Sequence, residues 1–122
     1  MKEFWKEATN THGSYEVSNL GRVRSVRYLK TKNKTIRTIL KPQLKNGYYV
    51  VELNCYERKK YKKKVHQLVY NTFIDVNFIT YFNEMVIDHI DENKLNNRVD
   101  NLQVLTRGNN TKKSKILKNN NL

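Results

Sequence analysis

The chain has 122 residues, of which 24 are Lys or Arg and 11 are Asp or Glu, and its formal net charge is +13. This length allows one compact domain or two very small ones that share a core. The charge favours a polyanionic partner, nucleic acid before a membrane surface, and no apolar stretch approaches the roughly 20 residues of a membrane-spanning helix. The single cysteine, Cys55, excludes an intramolecular disulfide and a multi-cysteine zinc site, and the start of the sequence has no signal-peptide pattern. A cytoplasmic protein is therefore expected.

The first part of the chain has the turn signals and alternation of antiparallel strands. Residues Tyr15–Ser18 and Val23–Tyr28 are separated by Asn19–Gly21, which predicts a hairpin. A basic turn at Lys30–Lys34 and the alternating residues Ile36–Leu40 predict a further strand.

The middle of the chain contains a second hairpin signal and a change of period. Asn46 and Gly47 both tolerate the positive φ of a type I′ turn, which leads into a strand at Tyr48–Tyr56. Six of the seven residues in Arg58–Lys64 are basic, which fits either a solvated turn or a phosphate-binding segment. Helical spacing then predicts a short helix over Val65–Phe73. Its residue His66 is expected to be a partly buried, hydrogen-bonded histidine rather than a catalytic one.

The last part of the chain predicts two strands and a helix around a polar loop. Strands at Met85–Ile90 and Leu102–Leu105 flank the loop Asp91–Asn101, and Thr106 is a good N-cap for a helix running into the 110s. Six acidic and two basic residues lie between positions 75 and 100 of this basic chain. Such an acidic island either binds a cation or faces away from a polyanionic ligand.

The pair Asp88 and His89, at the end of a strand, carries the chemical signal. Phosphodiester hydrolysis needs a base for the attacking water and a positive charge at the phosphate and the leaving oxygen. A histidine, with an ordinary pKa of about 6.5, can accept that proton, and carboxylate and amide oxygens suit Mg²⁺ or Mn²⁺. Adjacent side chains of a regular strand point to opposite faces, so both can flank one phosphate only if the strand ends or twists there.

The segment from Asp88 to Thr106 resembles a known family. Asp88-His-Ile-Asp91, Asn96-Asn-Arg98, Asn101-Leu102 and Val104-Leu-Thr106 look like the core of HNH endonucleases with the ββα-metal fold, in the version found in phage and intron homing endonucleases. Residues 65–73 and 15–25 resemble the helix and the small N-terminal β module that accompany this core.

The resemblance implies roles for particular residues. His89 is the general base, Asp88 and Asn110 hold one Mg²⁺ or Mn²⁺, and Asn101 ties the loop together. Asn109 takes the place of Asn110 if the register slips by one residue. Asn96 and Asn97 are expected to be loop formers rather than ligands, and no small-molecule cofactor is expected.

Two departures from the family pattern bear on the site and on specificity. Glu92 stands in the loop where the family usually has Gly, which adds a negative charge near the site. Homing relatives often continue into a C-terminal helix-turn-helix, which lengthens the DNA site that they recognise. Without such a helix-turn-helix, the recognition of a long site is in doubt.

Together these features predict an α+β protein. Residues 1–50 form an antiparallel DNA-binding β module, 51–115 the ββα-metal (HNH) nuclease core and 116–122 a frayed basic tail. The basic residues expected to contact double-stranded DNA are Arg22, Arg24, Arg27, Lys59, Lys60, Lys62, Lys63 and Arg98.

The predicted function is metal-dependent hydrolysis of a DNA phosphodiester, leaving 5′-phosphate and 3′-hydroxyl as the resemblance implies. One motif serves one strand, so a monomer is expected to nick, and a dimer remains the alternative. A DNA-binding protein that retains only the HNH scaffold and an RNA-binding protein are the rival interpretations. The Lys-, Asn- and Ile-rich composition suggests an AT-rich, phage or viral genome.

Overall fold

A computed structural model describes residues 1–55, 59–78, 85–110 and 113. In these ranges the strands are β1 (Trp5–Glu7), β2 (Tyr15–Ser18), β3 (Val23–Leu29), β4 (Lys34–Ile39), β5 (Gln43–Lys45), β6 (Tyr48–Cys55), β7 (Lys59–Lys64), β8 (Met85–His89) and β9 (Leu102–Thr106). The helix α1 spans Val65–Phe73, a 3₁₀ turn spans Val99–Asn101, and residues 107–110 and 113 are helical. This mixture of antiparallel strands and helix confirms the predicted α+β class.

The first sheet contains β1 to β4 in sequence order, with every neighbouring pair antiparallel. The predicted hairpin is confirmed: β2 and β3 pair with Val17 opposite Val23. Gly21 in its turn has φ +91°, a conformation that side chains with a Cβ rarely adopt. The predicted fourth strand also forms, although all of its residues are exposed.

The second sheet has the order β5-β6-β7. Asn46 and Gly47 have φ values of +53° and +84°, which confirms the predicted positive-φ turn between β5 and β6. Residues 59–64 of the basic run are a strand rather than a turn, paired along β6 with Glu52 opposite Lys62. Arg58 and Tyr56 lie outside the described residues. The boundary predicted at residue 50 falls inside β6 and stays a prediction.

The helix α1 has the predicted bounds and packs into one hydrophobic cluster with strands of both sheets. Its residues Val65, Leu68 and Val69 are buried against Val17 of β2 and Leu53 of β6, among others. The cluster therefore joins the first part of the chain to the last. No helix among the described residues has the length and apolar character that crossing a bilayer requires.

The strands β8 and β9 form an antiparallel pair with Asp88 opposite Gln103. The hydroxyl Oγ1 of Thr106 accepts a hydrogen bond from the backbone N–H of Asn109 at 3.1 Å, so Thr106 caps the helical residues as predicted. Two strands followed by a helix are thus present in the order that the sequence predicts. The tail predicted to be frayed, residues 116–122, lies outside the described residues.

Candidate active site

The side chains of Asp88 and His89 are both buried, 6% and 5% exposed, where β8 ends. They contact different neighbours. Asp88 faces the C-terminal helical residues through Lys113, whereas His89 faces the following loop and α1. The strand ends at His89, which is one of the two conditions under which adjacent side chains can serve one site.

His89 is oriented by an amide of the loop. Its Nε2 lies 2.8 Å from Oδ1 of Asn97, which is also buried. An amide oxygen can only accept a hydrogen bond, so in the neutral ring Nε2 carries the proton and Nδ1 has the free lone pair. Asn97 was expected to be a loop former. The sequence offers no signal that separates it from its identical neighbour Asn96.

A second histidine, His66 of α1, packs against His89. The two ring centroids are 5.2 Å apart in an edge-to-face arrangement, and Tyr48 stacks on His66 at 5.1 Å. Burial, with smaller contributions from His89 and Lys64, lowers the pKa of His66 to about 3. The expected hydrogen bonding was wrong in part, because His66 Nδ1 is buried without a hydrogen-bond partner within the described ranges.

The loop after β8 is held by the side chain of Asn101. Its Oδ1 accepts from the backbone N–H of Asp91 at 3.1 Å, and its Nδ2 donates to Asp91 Oδ1 at 2.9 Å and to the carbonyl of Asn96 at 2.8 Å. Hydrogen bonds from Asn96, Asn101 and the Asn93 backbone lower the pKa of Asp91. These contacts close the loop on itself between the two strands.

An ammonium group lies on Asp88. Lys113 Nζ donates to Asp88 Oδ2 at 2.5 Å and to the carbonyl oxygens of His89 and Ile90 at 3.1 and 3.2 Å, and it is 3.2 Å from Oε1 of Glu92. Burial acts to lower the pKa of Lys113, but the hydrogen bonds with Asp88 and Glu92 outweigh it and the pKa is raised. Lys113 is therefore positively charged at neutral pH. No pattern in the sequence singles out Lys113.

The predicted helix ligand Asn110 is partly buried in the helical residues, whereas Asn109 is exposed. Positions 110 and 113 are three apart and so share a helix face. Within the described part of the chain no group of three or more His, Cys, Asp and Glu residues is placed to hold a metal ion. Any cation here would rely on Asp88 together with amide and carbonyl oxygens.

The turn of the N-terminal sheet contacts the loop that holds His89. The carbonyl of Asn19 accepts a hydrogen bond from the N–H of Val99 at 2.9 Å. A Cβ on Gly21 would lie 2.9 Å from the backbone C and O and from Cβ of Asn97. Glycine is thus required for the close approach of this turn to Asn97.

The basic strand β7 presents its lysines on two faces. Lys60, Lys62 and Lys64 pair with Asn54, Glu52 and Val50, and Lys62 and Lys64 line a shallow cavity with Tyr48. The side chains alternate, so Lys59 and Lys63 belong to the opposite face, where Lys63 lines the cavity beside α1.

The face with Lys62 and Lys64 leads toward the histidines. The Nζ atoms of Lys64 and Lys94 each lie 5.0 Å from the ring centroid of Tyr48, which in turn is 6.3 Å from the His89 ring. Lys64 belongs to the predicted basic run but was not named as a DNA contact, and Lys94 was not predicted to bind DNA.

Most of the arginines predicted to contact DNA form ion pairs within the protein. Arg22 pairs with Glu3, Arg24 pairs with Glu16 at 2.7 Å and lies over the Trp5 ring at 4.0 Å, and Arg98 pairs with Asp100 at 3.1 Å, whereas Arg27 is exposed. These contacts leave the predicted DNA-binding roles as predictions.

Comparison with known proteins gives two matching family models. Residues 3–54 match the NUMOD4 motif, and residues 63–112 match the HNH endonuclease family. Among curated relatives are two uncharacterized HNH endonucleases of Acanthamoeba polyphaga mimivirus. One is 33% identical over 105 residues, covering 85% of this chain and 24% of the relative, and the other is 38% identical over 90 residues, covering 74% and 23%.

A phage enzyme matches in sequence and in structure. The DNA endonuclease I-HmuI of Bacillus phage SP01 is 36% identical over 104 residues, covering 84% of this chain and 52% of that protein. A solved structure described as DNA binding and cleavage by the HNH homing endonuclease I-HmuI aligns with a TM-score of 0.70 at 29% identity, covering 94% of this chain and 59% of that one. The chain thus spans about a quarter of each viral relative and about half of the phage enzyme.

Proposed function

Since the chain belongs to the HNH endonuclease family, we propose that it hydrolyses a phosphodiester bond of double-stranded DNA with one divalent cation. The reaction takes place inside the cell, because the DNA substrate lies there. The observation that carries the proposal is the buried pair at the end of β8, with the imidazole of His89 fixed by Asn97 and the carboxylate of Asp88 facing the helix.

His89 acts as the general base. Its Nε2–H is held by Asn97 Oδ1, so Nδ1 is the atom that takes the proton from the attacking water, and the products are a 5′-phosphate and a 3′-hydroxyl. Asn97 is a positioning residue, because it fixes both the tautomer and the ring. His66 stays neutral beside His89, so it adds no second positive charge that would disfavour protonation of the base.

Asp88 and Asn110 are the residues we propose to hold one Mg²⁺ or Mn²⁺. The fit is supported by the donor set at this position, where a carboxylate oxygen and two carbonyl oxygens already surround a positive charge. Hard divalent cations prefer such all-oxygen surroundings. When bound, the cation supplies charge neutralisation at the scissile phosphate and at the leaving oxygen.

Binding of the DNA backbone is assigned to the face of β7 that carries Lys60, Lys62 and Lys64. These exposed side chains lead to Tyr48 and from there to His89, so a strand lying along them would bring a phosphate to the base. Arg27 of the N-terminal hairpin is exposed and adds a contact farther along the duplex. We also propose that the protein is a homing endonuclease and that it nicks one strand of DNA as a monomer.

Incubation with supercoiled plasmid tests the proposal. Wild-type protein with Mg²⁺ or Mn²⁺ should convert the plasmid, and EDTA should prevent conversion. The His89→Ala variant should lose about 10²–10⁴ in rate while duplex binding persists, as loss of a general base predicts. Undiminished cleavage by this variant would refute the assignment of the base.

One observation favours the rival function, a DNA-binding protein that retains only the scaffold. The ammonium of Lys113 lies on Asp88, where a cation would bind. A wild-type protein that binds duplex DNA but leaves plasmid supercoiled at any concentration of Mg²⁺ or Mn²⁺ would establish that function.

A further inference from the structure

The ammonium of Lys113 is surrounded by oxygen atoms from the end of β8 and from the loop that follows it. Its ammonium contacts Asp88 Oδ2, the carbonyls of His89 and Ile90, and Oε1 of Glu92, all between 2.5 and 3.2 Å. The Lys113 side chain is 23% exposed and that of Asp88 is 6% exposed. A charge pair this sheltered from water is screened far less than a surface ion pair.

Glu92 supplies a second and independent observation. Its φ is +64°, in the left-handed region that favours glycine. A glutamate is strained there, and its carboxylate reaches Lys113. The unfavourable backbone conformation thus coincides with the contact to the ammonium.

We propose that the ammonium of Lys113 occupies the metal site, where it competes with the divalent cation for Asp88 and so sets the affinity of the site for that cation. When the divalent cation binds, the ammonium moves from Asp88 onto the carboxylate of Glu92. The inference rests on the proposed function, in that Asp88 is a metal ligand. Two cations on one carboxylate oxygen repel each other, so Lys113 must leave Asp88 before the metal can bind. Glu92 is 39% exposed and can hold the ammonium away from Asp88 at the edge of the site.

The experiment measures Mn²⁺ binding directly, by calorimetry or by the electron paramagnetic resonance of free Mn²⁺, in the absence of DNA. The proteins are wild type, Lys113→Met, Asp88→Asn and a control, Lys94→Met. The control removes the same charge from the same region, since Lys94 contacts Tyr48 rather than Asp88. Circular dichroism confirms that each variant is folded.

Lys113→Met should bind Mn²⁺ about tenfold more tightly than wild type, because a competing charge is gone, and Lys94→Met should change binding much less. A merely structural role for Lys113 predicts the opposite, since a disturbed site binds metal more weakly. Equal or weaker binding by Lys113→Met, or a gain matched by Lys94→Met, would overturn the inference. So would a lack of detectable binding in both wild type and Lys113→Met.

The Asp88→Asn variant separates failure of the inference from failure of the proposed function. If Asp88→Asn loses Mn²⁺ binding but Lys113→Met gains none, the metal assignment stands and the competition is refuted. If Asp88→Asn binds as wild type does, the metal assignment itself is wrong.

Glu92→Gly is a further variant, which tests the role of the Glu92 carboxylate and also relieves the backbone strain at position 92. It should weaken Mn²⁺ binding when Lys113 is present, because the displaced ammonium has lost its other carboxylate. The weakening should shrink in the Lys113→Met background. An equal loss in both backgrounds would show that Glu92 acts on the metal directly and would refute the exchange.

Discussion

The contact between the turn at Gly21 and the loop at Asn97 can be tested by adding one methyl group. In Gly21→Ala the new Cβ would lie 2.9 Å from the backbone of Asn97, and the residue would keep a φ of +91°. The unfavourable φ costs about 1–3 kcal/mol, and forcing a methyl group into a packed contact adds a further cost of about 1–3 kcal/mol.

Gly13→Ala is the matched control. Its φ is +77°, but its Cβ would meet only Glu7 Oε1 at 3.9 Å, so this variant has the backbone strain without the collision. The free energy of unfolding, measured with urea, should therefore be lower in Gly21→Ala than in Gly13→Ala by about 1–3 kcal/mol.

The same substitution should slow cleavage, because Asn97 holds Nε2 of His89. A displacement of about 1 Å at a reacting group can cost up to about 10²-fold in rate. Single-turnover plasmid cleavage, at a temperature where both variants are folded, should show this loss in Gly21→Ala alone. Equal stability and equal cleavage of the two glycine variants would refute the role of Gly21 in supporting the base.

Three further predictions concern DNA binding, acid stability and strand number. Replacing Lys62 and Lys64 with Ala should reduce the slope of the logarithm of the DNA-binding constant against the logarithm of salt concentration by about two. Replacing Lys59 and Lys63 on the opposite face with Ala should change this slope less. Equal changes in the two variants would contradict the distinction between the faces. Because His66 has a pKa of about 3 when folded and about 6.5 when unfolded, the unfolded chain takes up a proton first as pH falls. The free energy of unfolding should thus drop by about 2 kcal/mol from pH 7 to pH 5, and His66→Phe should lose most of this dependence; an unchanged dependence would contradict the neutral His66. Open-circular plasmid should accumulate before linear DNA, whereas linear product from the first time point, with a rate rising as the square of protein concentration, would indicate a dimer.

Local sequence signals were enough to predict most of the fold. The positive φ of Asn46 and Gly47 and the bounds of α1 agree with expectations from turn residues and hydrophobic spacing. The family matches confirm the resemblance found in residues 88–106. β7 was harder to predict, because its five lysines and Tyr61 show no alternation of polar and apolar residues, and their pairing with β6 defines the strand.

The contacts within the site depend on tertiary structure that a linear pattern does not contain. Asn96 and Asn97 are adjacent and identical, and only the path of the loop decides that Asn97 reaches His89. Lys113 is 24 residues from His89 in sequence, so its hydrogen bond with the carbonyl of His89 cannot be read from a local pattern. The acidic island left two interpretations open, a bound cation or a face turned away from the ligand, and the charge pattern alone does not reveal that the ammonium of Lys113 lies on Asp88.

The hydrophobic cluster around α1 limits how this protein could be recombined. Val17 and Val23, from the segment that matches one family model, share their interior with Val65, Val69 and Leu102 from the segment that matches the other. A hybrid that joins this N-terminal segment to the nuclease segment of a relative would combine two parts of a hydrophobic core whose side chains are not complementary in shape. Such a hybrid should need compensating substitutions along α1 before it folds, because the packing between the two segments must be restored first.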